Sequence, residues 1–571
     1  MSNYKDSSAF VRKLTTTKLD CGVSLRELTD HEGIRMWWFA DFDLIDLLLH
    51  MPDGDRRYDP KELRFQSYLC RMPVWLFAGL NLCFDVLRKL FIKAAMALYA
   101  KKKHRQKPEE GVHKVLFTAQ DMMWQQVKDH RTGQVRKTDI FFDSVIKVLE
   151  ERNDIQLVGT YPCISYVYLV RKAIESLRIL ADKLKMWDIR HVPFNLYWNV
   201  GIWRKEYRAA RYFLKQWKVL ARDEKFRQLC MLGERDMYDL VSRQLKFYFL
   251  VLFPYALKRI ALAHRLLEQE RPELILLINE YGIFERALLI AGKQKHIATV
   301  ALQHGNIHAS HQGYMYQPED ISREGLVRSP YCPIPDKTAV FGEYFKDMLC
   351  GTSVYPEDSL VVTGSCRHDV IDTIKNDLSK EDVLSCYGID HTKRTILWTT
   401  TCIAMIDEEN IINFRAFRAA MDQLSDTILV IKMHPNSKDR YVRMAKEYLS
   451  MPRDNVVIVP KNADTLCLIH ACDMMVTKMS TTAIEAVAMD KPLLILNLTG
   501  DADKMEYVSQ NIAVGVYAAE DLAATIENLI NDDAELAENR NRYVEQYFYK
   551  IDGRASRRVA GLIDDMLTGQ R

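Results

Sequence analysis

Three consecutive hydroxyl side chains, Ser480, Thr481 and Thr482, stand between two apolar segments. Met474–Val476 has the composition of a buried strand, and Ala483–Met489 has the apolar spacing of a helix. The hydroxyls are therefore predicted to lie at a helix N-terminus. Unpaired backbone N–H groups and the positive end of the helix dipole favour a phosphate at such a place, and the hydroxyls add donors.

A second pattern lies upstream of these hydroxyls. Serine and threonine are also ordinary helix caps, so the hydroxyls alone do not require a ligand. The strand-like segment Ile428–Met433, however, ends in His434 and Pro435, and the proline prevents further pairing in a sheet. His434 is thus predicted at the carboxyl end of a strand, where open parallel sheets bind ligands. Glu485, one turn inside the helix, is placed to accept hydrogen bonds from a ribose.

Another polar cluster follows two earlier strand patterns. Glu280 comes after the apolar segment Glu273–Ile278, and His304 comes after Ile297–Leu302. Loops at the carboxyl ends of parallel strands face the ligand cleft. A carboxylate or an imidazole there would serve as a general base for an acceptor hydroxyl. The plainer alternative for Glu280 is an acid that caps the following helix.

His304, His308 and His311 have a spacing that a metal site on a helix would use. Gly305 disfavours a regular helix there, and no further carboxylate completes a zinc-binding set. The sequence therefore predicts no metal and no separate cofactor.

The composition excludes several classes of protein. The 571 residues include 48% hydrophobic and 27% charged residues, which is typical of globular proteins with two or three domains. Lys plus Arg (79) nearly balances Asp plus Glu (76), so no nucleic-acid partner is predicted. The twelve cysteines form no C-x-x-C pair, and residues 1–19 lack the apolar core of a signal peptide. These features predict a cytoplasmic protein with free thiols.

Alternating strand and helix patterns predict an α/β fold with two doubly wound domains. The first is predicted at residues 111–372, with a helical insertion at about 163–250, and the second at 373–571. Residues 1–110 are predicted to be a helical extension.

Within this extension, residues 73–105 combine a wide apolar face with a basic end. The polar side chains fall close to one helical stripe, and a basic cluster, Lys101–Arg105, follows. This pattern is typical of a helix that lies on an anionic membrane surface. A helix packed on the protein core, with a solvated basic tail, is the alternative. The polar stripe consists of Asn81, Asp85, Arg88, Lys89 and Lys93.

Taken in order, six short motifs resemble those of GT-B glycosyltransferase-type proteins. The resemblance is to the group of CDP-glycerol glycerophosphotransferases, capsule Kdo transferases and bacterial (poly)sialyltransferases, and it covers residues 270–560. The motifs are Glu280-Tyr281-Gly282, Gln303-His304-Gly305, the segment 361–369, Lys432-Met433-His434-Pro435, the segment 480–486 and the segment 552–556.

The resemblance implies roles for the residues in these motifs. It places His434, Ser480, Thr481 and Thr482 on the phosphates of a nucleotide donor, with Lys432 contributing to stabilisation of the leaving group. It offers two bases: Glu280, by analogy with sialyltransferase-like members, and His304, by analogy with glycerophosphotransferase-like members. Tyr281 stands where the first analogy has a second acid, so both bases remain open.

The resulting hypothesis is a metal-independent GT-B transferase on the inner face of the membrane. It would move a sugar or polyol phosphate from a nucleotide-activated donor, CMP- or CDP-linked, to a surface glycan or lipid-linked acceptor. A UDP-sugar 2-epimerase is one alternative, although the chain lacks the His-Thr-Gly-Gln sequence of that family. A non-catalytic scaffold with a vestigial cleft is another.

Overall fold

The computed structural model describes most of the chain and contains two large parallel sheets, of seven and six strands. Thr481, Pro435 and the basic cluster Lys101–Arg105 lie outside the described residues. The described residues are 4–40, 44–45, 48, 66, 68–99, 111–119, 123–128, 135–162, 178–183, 190–309, 311, 313–318, 334–400, 407–434, 437–480, 482–500, 502–503 and 505–569.

The N-terminal elements cover the helical insertion and share its core. Phe10, Leu14 and Trp37 pack in one apolar cluster with Phe213 and Phe253 of the insertion. The N-terminal elements are α1 (Tyr4–Thr16), α2 (Leu25–Thr29), β1 (Asp30–His31), β2 (Ile34–Arg35) and α3 (Val74–Tyr99).

Helix α3 turns Asn81, Asp85 and Arg88 of its polar stripe toward the protein, whereas Lys93 of the same stripe is exposed. Asp85 is 2% exposed and pairs with Lys258, which also lies 3.0 Å from Glu206. Burial of these charges is tolerated because they pair with one another. Among the described residues, no helix is both long and apolar enough to cross a membrane.

The first α/β unit begins with six elements: β3 (His113–Thr118), β4 (Trp124–Lys128), β5 (Val135–Asp139), α4 (Asp143–Glu150), β6 (Ile155–Tyr161) and β7 (Arg190–Pro193). The insertion follows as α5 (Val200–Leu220), α6 (Glu224–Leu229), β8 (Met231–Leu232), β9 (Arg235–Asp236), α7 (Tyr238–Phe247), a π-helical turn (Tyr248–Leu252) and α8 (Phe253–Glu270). The range predicted as helical insertion therefore also contains β7, which is an edge strand of the sheet.

The unit continues with β10 (Leu274–Ile278), α9 (Ile283–Gln294), β11 (Ala298–Leu302), β12 (Lys337–Val340), α10 (Glu343–Thr352) and β13 (Leu360–Val362). The seven strands pair in the order β13-β12-β11-β10-β3-β6-β7, and all neighbours are parallel. Every residue of β10 is buried, as expected for a central strand covered by helices on both faces.

The second unit repeats the same architecture with the strand order β16-β15-β14-β17-β18-β19. Its elements are α11 (Asp369–Asp377), α12 (Lys380–Ser385), β14 (Arg394–Thr399), α13 (Asp407–Gln423), β15 (Thr427–Lys432), α14 (Asp439–Tyr448), β16 (Val456–Val459), α15 (Thr465–Ala471), β17 (Met474–Thr477), α16 (Thr482–Ala488), β18 (Leu493–Leu496), β19 (Val514–Val516), α17 (Leu522–Asn531) and α18 (Ala534–Phe548).

The last helix, α19 (Ala555–Thr568), returns to the first unit. Val559 and Ile563 pack in the same apolar cluster as Leu276 of β10. The carboxylate of Asp369 accepts hydrogen bonds from the backbone N–H groups of Ala555 and Ser556, at 2.9 and 2.8 Å. The range predicted for the second domain therefore contains a helix that packs on the first sheet. The two doubly wound sheets confirm the predicted GT-B architecture.

Candidate active site

Hydroxyl groups meet at the carboxyl edge of the second sheet. The Thr482 hydroxyl, at the start of α16, donates to the Ser480 hydroxyl at 2.8 Å and lies 3.2 Å from the Thr399 hydroxyl at the end of β14. This network fixes the turn between β17 and α16. The structure therefore places two of the three predicted hydroxyl residues at the predicted helix start.

Lys432 is the last residue of the neighbouring strand β15, and His434 follows that strand. The backbone N–H of His434 donates to the Thr400 hydroxyl at 3.1 Å, which fixes the turn after the strand. Lys432 is 4% exposed and donates to the carbonyl oxygens of Lys461, at 2.8 Å, and Met433. Partial burial and the nearby ammonium of Lys432 lower the pKa of His434. Lys432 thus lies beneath the loop and adds positive charge behind His434.

Glu485 of α16 binds a cation that comes from the first unit. Its Oε1 accepts a hydrogen bond from Arg367 at 2.9 Å, while its buried Oε2 has no hydrogen-bond partner among the residues described. Burial raises the pKa of Glu485, and Arg367 opposes that shift. Arg367 lies in the turn after β13, and its guanidinium carbon is 6.0 Å from the centre of the Phe141 ring. This ion pair joins the two units.

At the carboxyl edge of the first sheet, His304 sits among aromatic rings. Its Nε2 lies 3.3 Å from the Tyr281 hydroxyl, and its Nδ1 lies 3.4 Å from the Tyr314 hydroxyl. The Phe141 ring centre is 6.3 Å from that of the imidazole. Burial in this setting lowers the pKa of His304 to about 4. The imidazole is therefore neutral near pH 7, which is the form that accepts a proton.

Glu280 has a different environment from His304. It is 1% exposed, and its carboxylate accepts hydrogen bonds from the hydroxyls of Tyr355 and Thr338. Burial raises the pKa of Glu280 to about 7. Both of its oxygens are thus bound within the first unit.

The other two histidines of the predicted cluster lie beside the same rings. The His311 ring centre is 5.2 Å from that of Tyr281 and 5.6 Å from that of His308. In the described part of the chain, no group of three or more His, Cys, Asp or Glu side chains has the geometry to hold a metal ion.

A series of contacts connects the two sheet edges. His304 contacts Phe141, Phe141 lies against Arg367, and Arg367 binds Glu485 of α16. Phe141 and Arg367 also line a narrow pocket with Gln303, Phe341, Gly364 and Ser365. His304 at the edge of the first sheet and Glu485 of α16 are therefore linked through Phe141 and Arg367.

Sequence reasoning assigned no role to three residues of this site. Arg367 is within the recognisable segment 361–369, so that motif was the signal that pointed to it. Tyr314 and Phe141 belong to none of the six motifs. Their positions depend on contacts with His304 that only the folded chain reveals.

Two doubly wound parallel sheets, joined by these contacts, define the GT-B architecture. A family model described as CDP-Glycerol:Poly(glycerophosphate) glycerophosphotransferase matches residues 275–565, just over half of the chain. The chain belongs to this family, and the predicted resemblance is confirmed. No curated protein sequence matches the chain.

Several solved structures are similar to the chain at low identity. The co-structure of S. aureus MnaA with UDP is 15% identical over 80% of this chain and 97% of that chain, with a TM-score of 0.45. UDP-GlcNAc 2-epimerase from Neisseria meningitidis, bound to UDP-GlcNAc, is 14% identical over 79% of this chain and 100% of that chain, with a TM-score of 0.48. A variant of the wall teichoic acid polymerase TagF, soaked with CDPG, is 12% identical over 86% of this chain and 98% of that chain, with a TM-score of 0.43.

Proposed function

We propose that the protein transfers a polyol phosphate or a sugar from a cytidine-nucleotide donor, CMP- or CDP-linked, to a hydroxyl group of a surface glycan or lipid-linked acceptor. The observation that carries this proposal is the series of contacts from His304 through Phe141 and Arg367 to Glu485. This series links the neutral imidazole at the first sheet to the helix whose start would bind the donor phosphate. Transfer between a donor phosphate and an acceptor hydroxyl needs both.

The donor half of the site would bind the nucleotide. Ser480, Thr481, Thr482 and the N-terminus of α16 would donate hydrogen bonds to the diphosphate. Glu485, whose buried Oε2 has no hydrogen-bond partner in the described part of the chain, would accept a hydrogen bond from a ribose hydroxyl. His434, backed by the charge of Lys432, would stabilise the negative charge that develops on the leaving nucleotide. These protein groups offer the stabilisation that a metal supplies elsewhere, so we propose metal-independent transfer.

The acceptor half would remove a proton. With a CDP-linked polyol, the acceptor oxygen attacks the β-phosphorus, the bond from this phosphorus to the bridging oxygen breaks, CMP leaves, and the acceptor proton passes to His304. We favour His304 over Glu280 because both oxygens of the Glu280 carboxylate are already bound by Tyr355 and Thr338. Glu280 would then have a structural role, because it holds Tyr355 and Thr338 in place beneath the acceptor half of the site.

We also propose that α3 rests on an anionic membrane surface. Asn81, Asp85 and Arg88 of its polar stripe are buried against the protein, while seven large apolar side chains of α3 are exposed, namely Trp75, Leu76, Leu80, Val86, Leu87, Leu90 and Phe91. The neighbouring helix α5 exposes only basic side chains among its charged residues, namely Arg204, Lys205, Arg208, Arg211, Lys215 and Lys218. An apolar face beside a basic face is the chemistry of an interfacial helix.

A donor screen tests the enzymatic proposal. The purified protein would be incubated with CDP-glycerol, a CMP-linked sugar or UDP-GlcNAc, with and without a glycan or lipid-linked acceptor. We expect acceptor-dependent release of CMP. Isomerisation of UDP-GlcNAc without an acceptor would instead establish the epimerase, and no binding of any nucleotide would establish the scaffold.

Co-sedimentation with vesicles tests the membrane proposal. We expect the chain to bind vesicles that contain phosphatidylglycerol, and the double variant Leu87→Ser/Leu90→Ser to lose this binding while keeping transferase activity on a soluble acceptor. Equal binding by the variant and the original chain would overturn the role of α3.

A further inference from the structure

An open pocket of about 430 Å³ lies where the chain enters α3, outside the proposed active site. Cys70 and Arg71 precede α3 by a few residues and form one wall. Gln66, residues of α7 and Trp217 of α5 form the rest. The side chains that matter for its chemistry are Arg71, Trp217, Ser242, Arg243, Lys246 and Phe247.

The charge of the pocket favours an anion. Arg71, Arg243 and Lys246 are cationic, and Asp239 is the one acidic side chain among the described residues that line it. None of the three cations forms an ion pair within the described part of the chain. Three cations that pair with no acidic residue among those described, beside a serine hydroxyl, suit a phosphate group.

The position of the pocket also suits a membrane ligand. Tyr68 and Trp75 stand on either side of Cys70 and Arg71 in the sequence, and they are 63% and 66% exposed. Exposed tyrosine and tryptophan side chains of this kind sit at the headgroup level of a bilayer. With the apolar face of α3 against the membrane, the pocket would lie at the depth of the lipid phosphates. The rings of Trp217 and Phe247 would meet the glycerol and upper acyl carbons.

We infer that this pocket binds the phosphate headgroup of an anionic phospholipid. The inference rests on the proposed contact between α3 and the membrane, and it adds a specific headgroup site to that contact. A soluble polyanionic acceptor would use the same charges, but it would have no use for the exposed aromatic residues and apolar helix beside them. The lipid is therefore the occupant that the surroundings favour.

Short-chain phosphatidylglycerol, kept below its micelle concentration, tests the pocket in the full-length chain by calorimetry. The variant Arg243→Gln/Lys246→Gln should bind this lipid about twenty-five-fold more weakly, since each cation near a headgroup contributes roughly a factor of five. The matched control, Arg443→Gln/Lys446→Gln on α14, removes the same charge at the same spacing from an exposed face outside the pocket, and it should bind the lipid normally. Equal binding by all three proteins, or no binding by any of them, would overturn the inference.

A second readout locates the lipid and separates the two proposals. Bound lipid should slow the alkylation of Cys70, read by peptide mass spectrometry, and leave exposed Cys386 unchanged. Soluble poly(glycerol phosphate) that protects Cys70 as well as the lipid does would overturn the lipid assignment. The variant Leu87→Ser/Leu90→Ser should no longer bind vesicles, but it should still bind the short-chain lipid. If the original chain binds vesicles and Cys70 is still alkylated at the same rate, the proposed lipid pocket is wrong, while the proposed contact between α3 and the membrane is supported.

Discussion

The two sheets present chemically opposite surfaces at the same position of the fold. At the edge of the first sheet, His304 lies among the rings of Tyr281, Tyr314 and Phe141, and burial lowers its pKa to about 4. At the edge of the second sheet, hydroxyls surround the start of α16, and half-buried His434 follows β15. A doubly wound sheet thus fixes where a site lies, and the side chains decide what it does.

The difference between the edges matches the division of work that we propose. A dry aromatic surrounding keeps an imidazole neutral and therefore able to accept a proton. A polar edge with a helix N-terminus keeps its donors available for an anion. Arg367 connects the two edges, because it contacts Phe141 on one side and Glu485 on the other.

Removal of the proposed base tests the first edge and has the largest expected effect. His304→Ala should lower kcat by about 10²- to 10⁴-fold, the usual contribution of a general base, and leave donor affinity unchanged. Because burial lowers the pKa of His304 to about 4, the acid limb of kcat/KM should fall near that pH rather than near the ordinary value of 6.5. His308→Ala is the matched control and should stay active. Loss of activity in both variants would point to a general disturbance of the loop.

Removal of His434 tests the second edge. His434→Ala should reduce turnover by roughly 10²- to 10³-fold, because a donor to the leaving group is lost, and should also weaken nucleotide binding. Steady-state rates and calorimetry with CDP measure the two effects. His391→Ala, in the same unit, should change neither. If the His434 variant turns over at the original rate, the assignment of the leaving-group site is wrong.

Arg367 offers a way to break the connection between the edges. Arg367→Met should weaken CDP binding about tenfold, since Glu485 would lose the hydrogen bond that fixes its carboxylate. The preference for CDP over 2′-deoxy-CDP should shrink at the same time. Arg367→Lys keeps the positive charge but lacks the planar guanidinium, so this variant should retain only part of the preference for CDP over 2′-deoxy-CDP. An unchanged preference in the Met variant would exclude this positioning role.

Glu280, at the edge of the first sheet, is tested by the pH dependence of protein stability rather than by a reaction rate. Because burial raises its pKa from 4.5 to about 7, the folded chain holds a proton in this range that the unfolded chain has released. The stability from this proton is complete below pH 4.5 and is lost as the pH rises through about 7. The free energy of unfolding of Glu280→Gln, from urea titrations, should therefore vary less with pH across this window. Exposed Glu527→Gln should behave like the original chain.

Local patterns predicted much of this architecture. The apolar segments at 273–278 and 474–476 are strands β10 and β17, and the helix predicted at 483–489 is α16, at residues 482–488. A buried parallel strand and a capped helix start each depend on a few adjacent residues, so a single sequence contains their signals.

Features that depend on distant contacts were not predictable. The return of α19 to the first sheet depends on Asp369, nearly two hundred residues before Ser556. The polar stripe of α3 was visible, but its direction was not, because Lys258 and Glu206, far along the chain, make its burial possible. Tyr314 and Phe141, which lie beside His304, were missed for the same reason.

A crystal structure of the protein with bound CDP tests the central claim most directly. The account predicts the diphosphate at the start of α16, with His434 beside it and the ribose on Glu485, and an open path from the terminal phosphate to His304. A diphosphate bound elsewhere, or one separated from His304 by protein, would contradict it.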